Sequence, residues 1–599
     1  QNEPLLNELA NYAYNHVTDT RIDWEYVQRD EQGSVVSAVE TTYTFETDNK
    51  AESTTGDGET VAWLYPHQHK HTDDPLTAYT TWTERGTAKL FKGSELTTSL
   101  TYPGILPWLP SALLDGSQQT ELSGLLDELM NEYTQTDEET SEEYLWPYSY
   151  GVPSDSYFGG KDPFRLGNVA PMAGELGHSN ADDLYDAIST RVGHRVEADD
   201  QFTYDGRTYT TRDGNGNVRE LFEYVSELGT LLPHDGNFGS VTDINDHHFH
   251  FGYWVYGASI VGLDEDPTTE GTWVDRYGDM IDLLARDYAN WERPENDGRS
   301  TGAALTDTTP RDSPKDAFPF LRCFDAWEGH SWASGTSSGS GTGQESSSEA
   351  INSYAAMIRW GEVRLRHAET AEERDHARQI RDTGVFLYTQ EITAVLEYWF
   401  DVQDDSLPSD WGADLSDPAD IAVSDQPFEF ASRVYSNGYD RGLYFAITPV
   451  HLYGINYLPV GGHSFYLGQD RQYSAQQWET ILENRATPHW GYEDDPTDFP
   501  EGWTTSMHCY RALSEPGDAV DVYDTEPNNA PDAGGNTKAF AYAWTRALDN
   551  HGTPNDSVTA DTSFFSVFDS ETDPEEAIAA LRQDLQLAAT EAERHRVEG

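Results

Sequence analysis

The spacing of apolar positions changes character twice along the chain. Up to about residue 110, β-branched and aromatic residues come in short runs with partial alternation. The clearest is Val35-Val36-Ser37-Ala38-Val39-Glu40-Thr41-Thr42-Tyr43-Thr44-Phe45, followed by runs around 61–65, 79–82 and 97–102. A period of two marks half-buried strands, and turn residues separate several of them. The pattern predicts a β-sandwich over 1–110, closed by the stiff connector Pro103-Gly104-Ile105-Leu106-Pro107. From 111 to 145 the period becomes helical, with Leu122, Leu125, Leu126 and Leu129 spaced i, i+3, i+4, i+7. This predicts a small linking region over 111–150.

From about 150 onward, helical stretches alternate with loops rich in Gly, Trp, Tyr, His and Asp. Helices are predicted over 180–192, 216–228, 274–291, 346–368 and 371–399, and the mixed charges on one face of the last read as solvated surface. Such alternation, without a βαβ pattern or a short repeat, points to an α/α barrel over 151–599. The C-terminal segment 574–595 reads as an amphipathic packing helix. The Gly/Ser stretch 336–343 reads as a mobile loop beside a functional site rather than a domain boundary.

Charge sharpens the picture. Against 106 Asp and Glu stand 37 Lys and Arg, a formal net charge of −69. The acids are spread along a chain rich in aromatics, which distinguishes it from a disordered acidic tail. A folded chain so charged repels itself and needs counterions to stay compact, so the surface reads as adapted to molar salt. The sign of the field excludes nucleic acid and anionic membranes as partners. Two cysteines, Cys323 and Cys509, exclude a disulfide framework and a Cys-rich zinc site, though sequence cannot say whether they pair. No apolar run is long enough to span a membrane. The chain opens on Gln1 rather than Met, which points to processing or trimming.

Three stretches concentrate chemistry. Asp243 to Tyr253 packs two acids, three histidines, an amide and ring donors at the mouth of an apolar helical pattern. Asp325 to Gly335 carries Asp325, Glu328, His330 and Trp332. Gly343 to Ala350 places Glu345 and Glu349 four apart, on one helical face if a helix starts near Ser346. Two chemistries compete. Three histidines, His247, His248 and His250, match a metal set only in composition: on a strand His247 would face away from the other two, and no His-Glu-x-x-His pattern is present. Glycoside hydrolysis instead needs one protonated carboxyl and one ionised carboxyl across the scissile bond. Asp246 with Glu345 or Glu349 fits that need, and burial among rings would raise the Asp246 pKa.

Taken together, the motifs resemble those of glycoside hydrolase family 81, the endo-β-1,3-glucanases. Asn245-Asp246-His247-His248-Phe249-His250-Phe251-Gly252-Tyr253, Asp325-Ala326-Trp327-Glu328-Gly329-His330-Ser331-Trp332-Ala333-Ser334-Gly335 and Gln344-Glu345-Ser346-Ser347-Ser348-Glu349-Ala350 carry the resemblance. Weaker matches are 103–107, 157–161 and Tyr453-Gly454-Ile455-Asn456-Tyr457-Leu458-Pro459. The resemblance implies a multidomain α and β protein: an N-terminal β-sandwich, a small linking region and an (α/α)6 barrel. It implies inverting endo-hydrolysis of 1,3-β-glucans such as laminarin, by a secreted monomer without metal or cofactor. By motif, Asp246 would be the general acid and Glu345 or Glu349 the base that activates water. His250, Tyr253, Asp325, His330, Trp332 and Lys161 would hold glucose units. The chain departs from the pattern at Ala326-Trp327, which replace Pro-Tyr, and at Val450 and Tyr453, where Glu and His are usual. A non-catalytic glucan-binding protein on the same fold is the alternative reading.

Overall fold

The structure is a computed structural model. It describes residues 3–31, 34–50, 58–136, 143–145, 155–197, 201–204, 207–210, 221–234, 236–293, 314–334, 341–403, 406–407, 430–440, 442–445, 449–484, 503–525 and 535–552. The expected helix 574–595 and most of the 336–343 loop lie outside the described residues.

The N-terminal region forms two three-stranded antiparallel sheets. β1 (Asn15–Glu31) pairs with β2 (Ser34–Asn49), and β2 with β6 (Glu95–Thr101). In the second sheet β5 (Gly86–Gly93) lies between β3 (Thr60–Leu64) and β4 (Leu76–Thr83). Each predicted strand run falls in a strand. β1 was not anticipated, because its apolar positions are interrupted by charged ones. The rest of the chain is mainly helical.

Helices of eight residues or more up to Tyr398 are numbered in chain order; Arg471–Asn484, Thr504–Ala512, Pro516–Thr525 and Lys538–His551 come after them. α1 (Gly116–Glu132) and α2 (Phe158–Gly167) precede α3 (Ala181–Glu197), α4 (His247–Asp264) and α5 (Trp273–Ala289). α6 (Ser347–His367) and α7 (Ala371–Tyr398) follow. Capping boxes start α1 at Asp115, α5 at Thr272 and α7 at Thr370, each satisfying backbone N–H groups that a helix leaves unpaired.

Two predictions need correction. Residues 216–228 are not helical where described: Leu221–Val225 and Thr230–His234 form a hairpin. Its apolar density fits either period, and Gly229, at φ 63°, supplies the left-handed turn residue that a β-hairpin needs. The solvated charged face expected of α7 covers only its first turns. Beyond them Arg381, Glu391 and Glu397 are buried, because its second half packs against α6 and the N-terminal sheet. There Trp24 of β1 stacks on Phe386 at 4.4 Å, and Gln390 donates to the Thr41 hydroxyl at 3.1 Å.

α4 and α6 are interior helices, buried on nearly every face, and they pack on each other, with α7 on the far side of α6. Their crossings depend on glycine. A Cβ on Gly252 would lie 2.7 Å from the Ser353 Cα, and one on Gly361 would lie 2.6 Å from the Arg381 nitrogen. Such close approach lets the first turns of α4 and α6 meet at one place.

Candidate active site

Asp246 ends the loop before α4 in the left-handed region, at φ 60° and ψ 15°. Ile244, two residues earlier, is also left-handed at φ 57°, a strained state for a β-branched residue. The loop is pinned on both sides. The Asp246 N–H donates to the Ala333 carbonyl at 3.0 Å. His247 sets its Nδ1 2.7 Å from Asp287 Oδ1 and its Nε2 2.7 Å from the Ser240 carbonyl. Asp287, without exposed surface, also accepts from Thr230 Oγ1 at 2.7 Å, from the Leu231 N–H at 2.6 Å and from Arg322. Paired and hydrogen-bonded, its carboxyl stays below the usual aspartate range despite burial.

The strand geometry expected for the histidines is wrong. The helix starts at His247, so all three lie in its first turn, and their rings diverge. His247 turns to Asp287, His250 meets Ser156 Oγ through Nδ1 at 2.7 Å, and His248 lies against Phe249. Burial is the main cause that lowers the pKa of His248, to about 3, and of His250, well below its ordinary value. Among the described residues, no group of three or more His, Cys, Asp or Glu side chains is placed to hold a metal ion.

Glu345 and Glu349 do not share a helical face. α6 begins at Ser347, so Glu345 precedes the N-cap Ser346, and only Glu349 lies in the first turn. Glu345 is partly open, and its Oε1 accepts the Tyr444 N–H at 2.9 Å. Burial raises its carboxyl to about 7, offset by Tyr444 and Arg433 and reinforced by Glu349 and Asp440. Glu349 is 2% exposed. It accepts the Tyr253 hydroxyl at 2.6 Å and faces Lys161 Nζ at 3.8 Å. Asp246 lies deep in the molecule but keeps part of its surface accessible. Its pKa is raised well above the ordinary value by burial first, then by Glu345 and Glu349. Glu345 and Glu349 thus lie near enough to Asp246 for their charges to act on it.

α2, α4 and α6 all start at this cluster, and none is capped by its own N-cap side chain, although Asp155 Oδ1 accepts the Tyr157 and Phe158 N–H groups at 2.8 and 3.0 Å at the start of α2. Their N-terminal dipoles favour negative charge there. The N-terminus of α6 is held from afar: the Ser347 N–H and hydroxyl donate to Asn456 Oδ1 at 3.2 and 2.8 Å, and the Ser346 hydroxyl donates to the Ile455 carbonyl at 3.0 Å. This gives the 453–459 motif a structural role.

The other expected site residues divide by exposure. Asp325 and Trp332 are partly open. Asp325 Oδ1 accepts the Trp327 and Glu328 N–H groups at 3.0 and 3.1 Å, and the Trp332 indole donates to Oδ2 at 3.3 Å. His250, Tyr253, Lys161 and His330 are buried; Tyr253 and Lys161 meet Glu349, whereas His330 lies beside Glu328, 3.9 Å away. Lys161 Nζ sits 4.3 Å from the Tyr157 ring centroid, and His330 packs on Trp332 and Trp399. Sequence reasoning missed Asp287, Glu391, Asn456 and Tyr444. The first three are buried partners distant in sequence, and Tyr444 acts through its backbone, which no side-chain motif reveals. The departures lie in packing. Trp327 meets Tyr43 and Phe45 edge-on, and Tyr453 stacks on Phe430. Cys323 and Cys509 are both buried and do not form a disulfide with each other.

Carboxyls of unequal environment, gathered among aromatic rings at the starts of packed helices, are the kind of site that glycoside hydrolases build. Residues 224–397 match the family model described as glycosyl hydrolase family 81 C-terminal domain. The chain is 33% identical over 566 residues to the glucan endo-1,3-beta-D-glucosidase of Acetivibrio thermocellus, spanning 94% of this chain and 60% of that protein. It is 29% identical to the glucan endo-1,3-beta-D-glucosidase of Thermobifida fusca, over 94% of this chain and 61% of that one. The solved structure of a glycoside hydrolase family 81 mutant from Clostridium thermocellum aligns with a TM-score of 0.69 at 30% identity, covering 91% of this chain and 62% of that one. The chain belongs to glycoside hydrolase family 81, and spans about three fifths of the length of the curated relatives it matches.

Proposed function

We propose that the protein is an endo-acting hydrolase of 1,3-β-D-glucosidic bonds in β-1,3-glucans, working with inversion at the anomeric carbon. The relatives named as glucan endo-1,3-beta-D-glucosidases support the substrate class. The observation that carries the reading is the convergence of Asp246 with two glutamates that raise its pKa. An acid so placed holds its proton to higher pH than an ordinary aspartate and can give it to the leaving oxygen. Glu345 is the base in this reading. It is partly open, where a water can reach it, and its one described hydrogen bond comes from a backbone N–H. Glu349 is already engaged by Tyr253 and Lys161, so its role is to hold those two side chains beside the acid. Trp332 and Asp325 touch sugar, while His250, Tyr253, Lys161 and His330 orient the carboxyls and rings from behind. The helical part, over 151–599, closes as an (α/α)6 barrel and 1–110 as a β-sandwich, joined by the link 111–150. The enzyme acts outside the cell as a monomer, since its polymeric substrate does not cross a membrane; among the described residues no helix is long and apolar enough to do so either.

Proton NMR of laminarin digestion in molar salt tests the proposal. New reducing ends should appear first as the α-anomer. First appearance of the β-anomer would exclude inversion, and binding of laminarin without release of reducing ends would make the protein a glucan-binding module.

A further inference from the structure

One short segment lies between the backbone of the proposed acid and that of the proposed base. The Asp246 N–H donates to the Ala333 carbonyl at 3.0 Å. The N–H groups of Ala333 and Ser334 both donate to the Gly343 carbonyl at 3.0 Å, two residues before Glu345. Segment 331–334 is thus a spacer with Asp246 on one side and the Glu345 strand on the other.

The spacer is anchored from α7. Glu391 Oε2 accepts the Ser331 N–H at 2.6 Å and Oε1 accepts the Ser331 hydroxyl at 2.9 Å. Gln344, next to Glu345, donates from Nε2 to the same hydroxyl at 2.9 Å. Glu391 and Ser331 have no exposed surface, and Gln344 almost none. Burial raises the Glu391 carboxyl to about 8, against the hydrogen bonds from Ser331 and Gln344. Burying a carboxyl is costly, and here both of its oxygens hold Ser331 of the spacer, with Gln344 as a further donor. Trp332, within the same segment, has a second hold, its indole tie to Asp325, which keeps the proposed sugar platform in place when the Glu391 anchor is lost.

We propose that Glu391 is a positioning residue that sets the separation of the Asp246 and Glu345 carboxyls through Ser331–Ser334 and Gln344. The inference rests on the acid–base reading above. Inversion needs a gap of roughly 6.5–9.5 Å that admits one water, and a shift of about 1 Å in such a geometry costs about a hundredfold in rate. Glu391 lies away from the substrate, so its loss acts on turnover rather than on binding.

The test compares the wild type with Glu391→Gln, Glu391→Ala and Ser331→Ala on laminarin in molar salt. kcat and KM are measured separately, per folded molecule as judged by near-UV circular dichroism. Gln keeps an acceptor for the Ser331 N–H and gives a donor to its hydroxyl, so Glu391→Gln should stay within about threefold of wild type in kcat. Glu391→Ala should lose about a hundredfold in kcat, with KM within about threefold of wild type. Should Glu391→Ala not fold, Ser331→Ala, which removes the hydroxyl shared by Glu391 and Gln344, should still lose about tenfold in kcat. Unchanged kcat in both alanine variants overturns the inference, as does a loss confined to KM or an equal loss in Glu391→Gln. A wild type that releases no reducing ends from laminarin would overturn the functional reading instead.

Discussion

Asp246 and Ile244 hold left-handed backbones that an L-residue adopts at a cost of about 1–3 kcal/mol each. They persist because Ala333, Ser240 and the Asp287 network grip the loop on both sides. The strain aims one carboxyl at two others. Asp246→Asn should therefore lower kcat by about 10²–10⁴, measured as reducing ends released from laminarin. Glu345→Gln should cause a comparable loss, and Glu349→Gln a smaller one; equal losses would remove the distinction drawn between the glutamates. The pH profile of kcat/KM should be bell-shaped. Activity falls as pH drops below about 7, where Glu345 gains its proton, and falls again as pH rises through the elevated Asp246 value. Stability carries the opposite sign for Glu345. Its folded pKa is raised above the ordinary 4.5, so its contribution is fully present below that value and is lost as pH rises through about 7. Glu345→Gln should leave urea unfolding unchanged near pH 4 and stabilise the protein by roughly 1–3 kcal/mol near pH 8.

At the level of elements, the helices that begin away from the site and those that begin at it are built differently. α1, α5 and α7 begin with capping boxes that can be read in sequence. α4 and α6 begin without them, because their N-termini serve the carboxyl cluster and are tied by distant groups such as Asn456 and Ala333. Helices 180–192, 274–291, 346–368 and 371–399 were legible because a 3.6-residue period survives even where a helix is mostly buried. The hairpin at Leu221–His234 was not, since a run as apolar as Leu221-Phe222-Glu223-Tyr224-Val225 satisfies both periods until its partner strand is known. The α6–α7 crossing admits no side chain at Gly361. Gly361→Val should cost about 1–3 kcal/mol or more by overpacking, read as a lower urea midpoint, whereas a neutral result would mean that the helices can separate there.

Across the molecule, the net charge of −69 dominates. Surface ion pairs contribute little individually, and 37 basic residues cannot neutralise 106 acids. Screening shortens the reach of the repulsion, from about 10 Å at 0.1 M salt to about 3 Å at 1 M. Raising KCl from about 0.1 M to molar concentrations should therefore raise the melting temperature and restore activity, followed by circular dichroism and laminarin hydrolysis. A melting temperature that is flat or falling with salt would refute the reading of a salt-adapted surface.

Local pattern in the chain was enough to establish the strand-rich start and helical remainder, the sign and scale of the field, and the family, because motifs such as Asn245–Tyr253 are contiguous and periodicity is local. It also singled out Asp246, Glu345 and Glu349. Tertiary packing was needed to assign what each does in the site. That Glu345 stands outside the helix while Glu349 is buried against Tyr253, that His247 faces Asp287, and that Glu391 grips Ser331 are facts of packing between segments from 40 to 96 residues apart. Burial and partner choice fix the protonation of a carboxyl, and neither is written in its immediate neighbours.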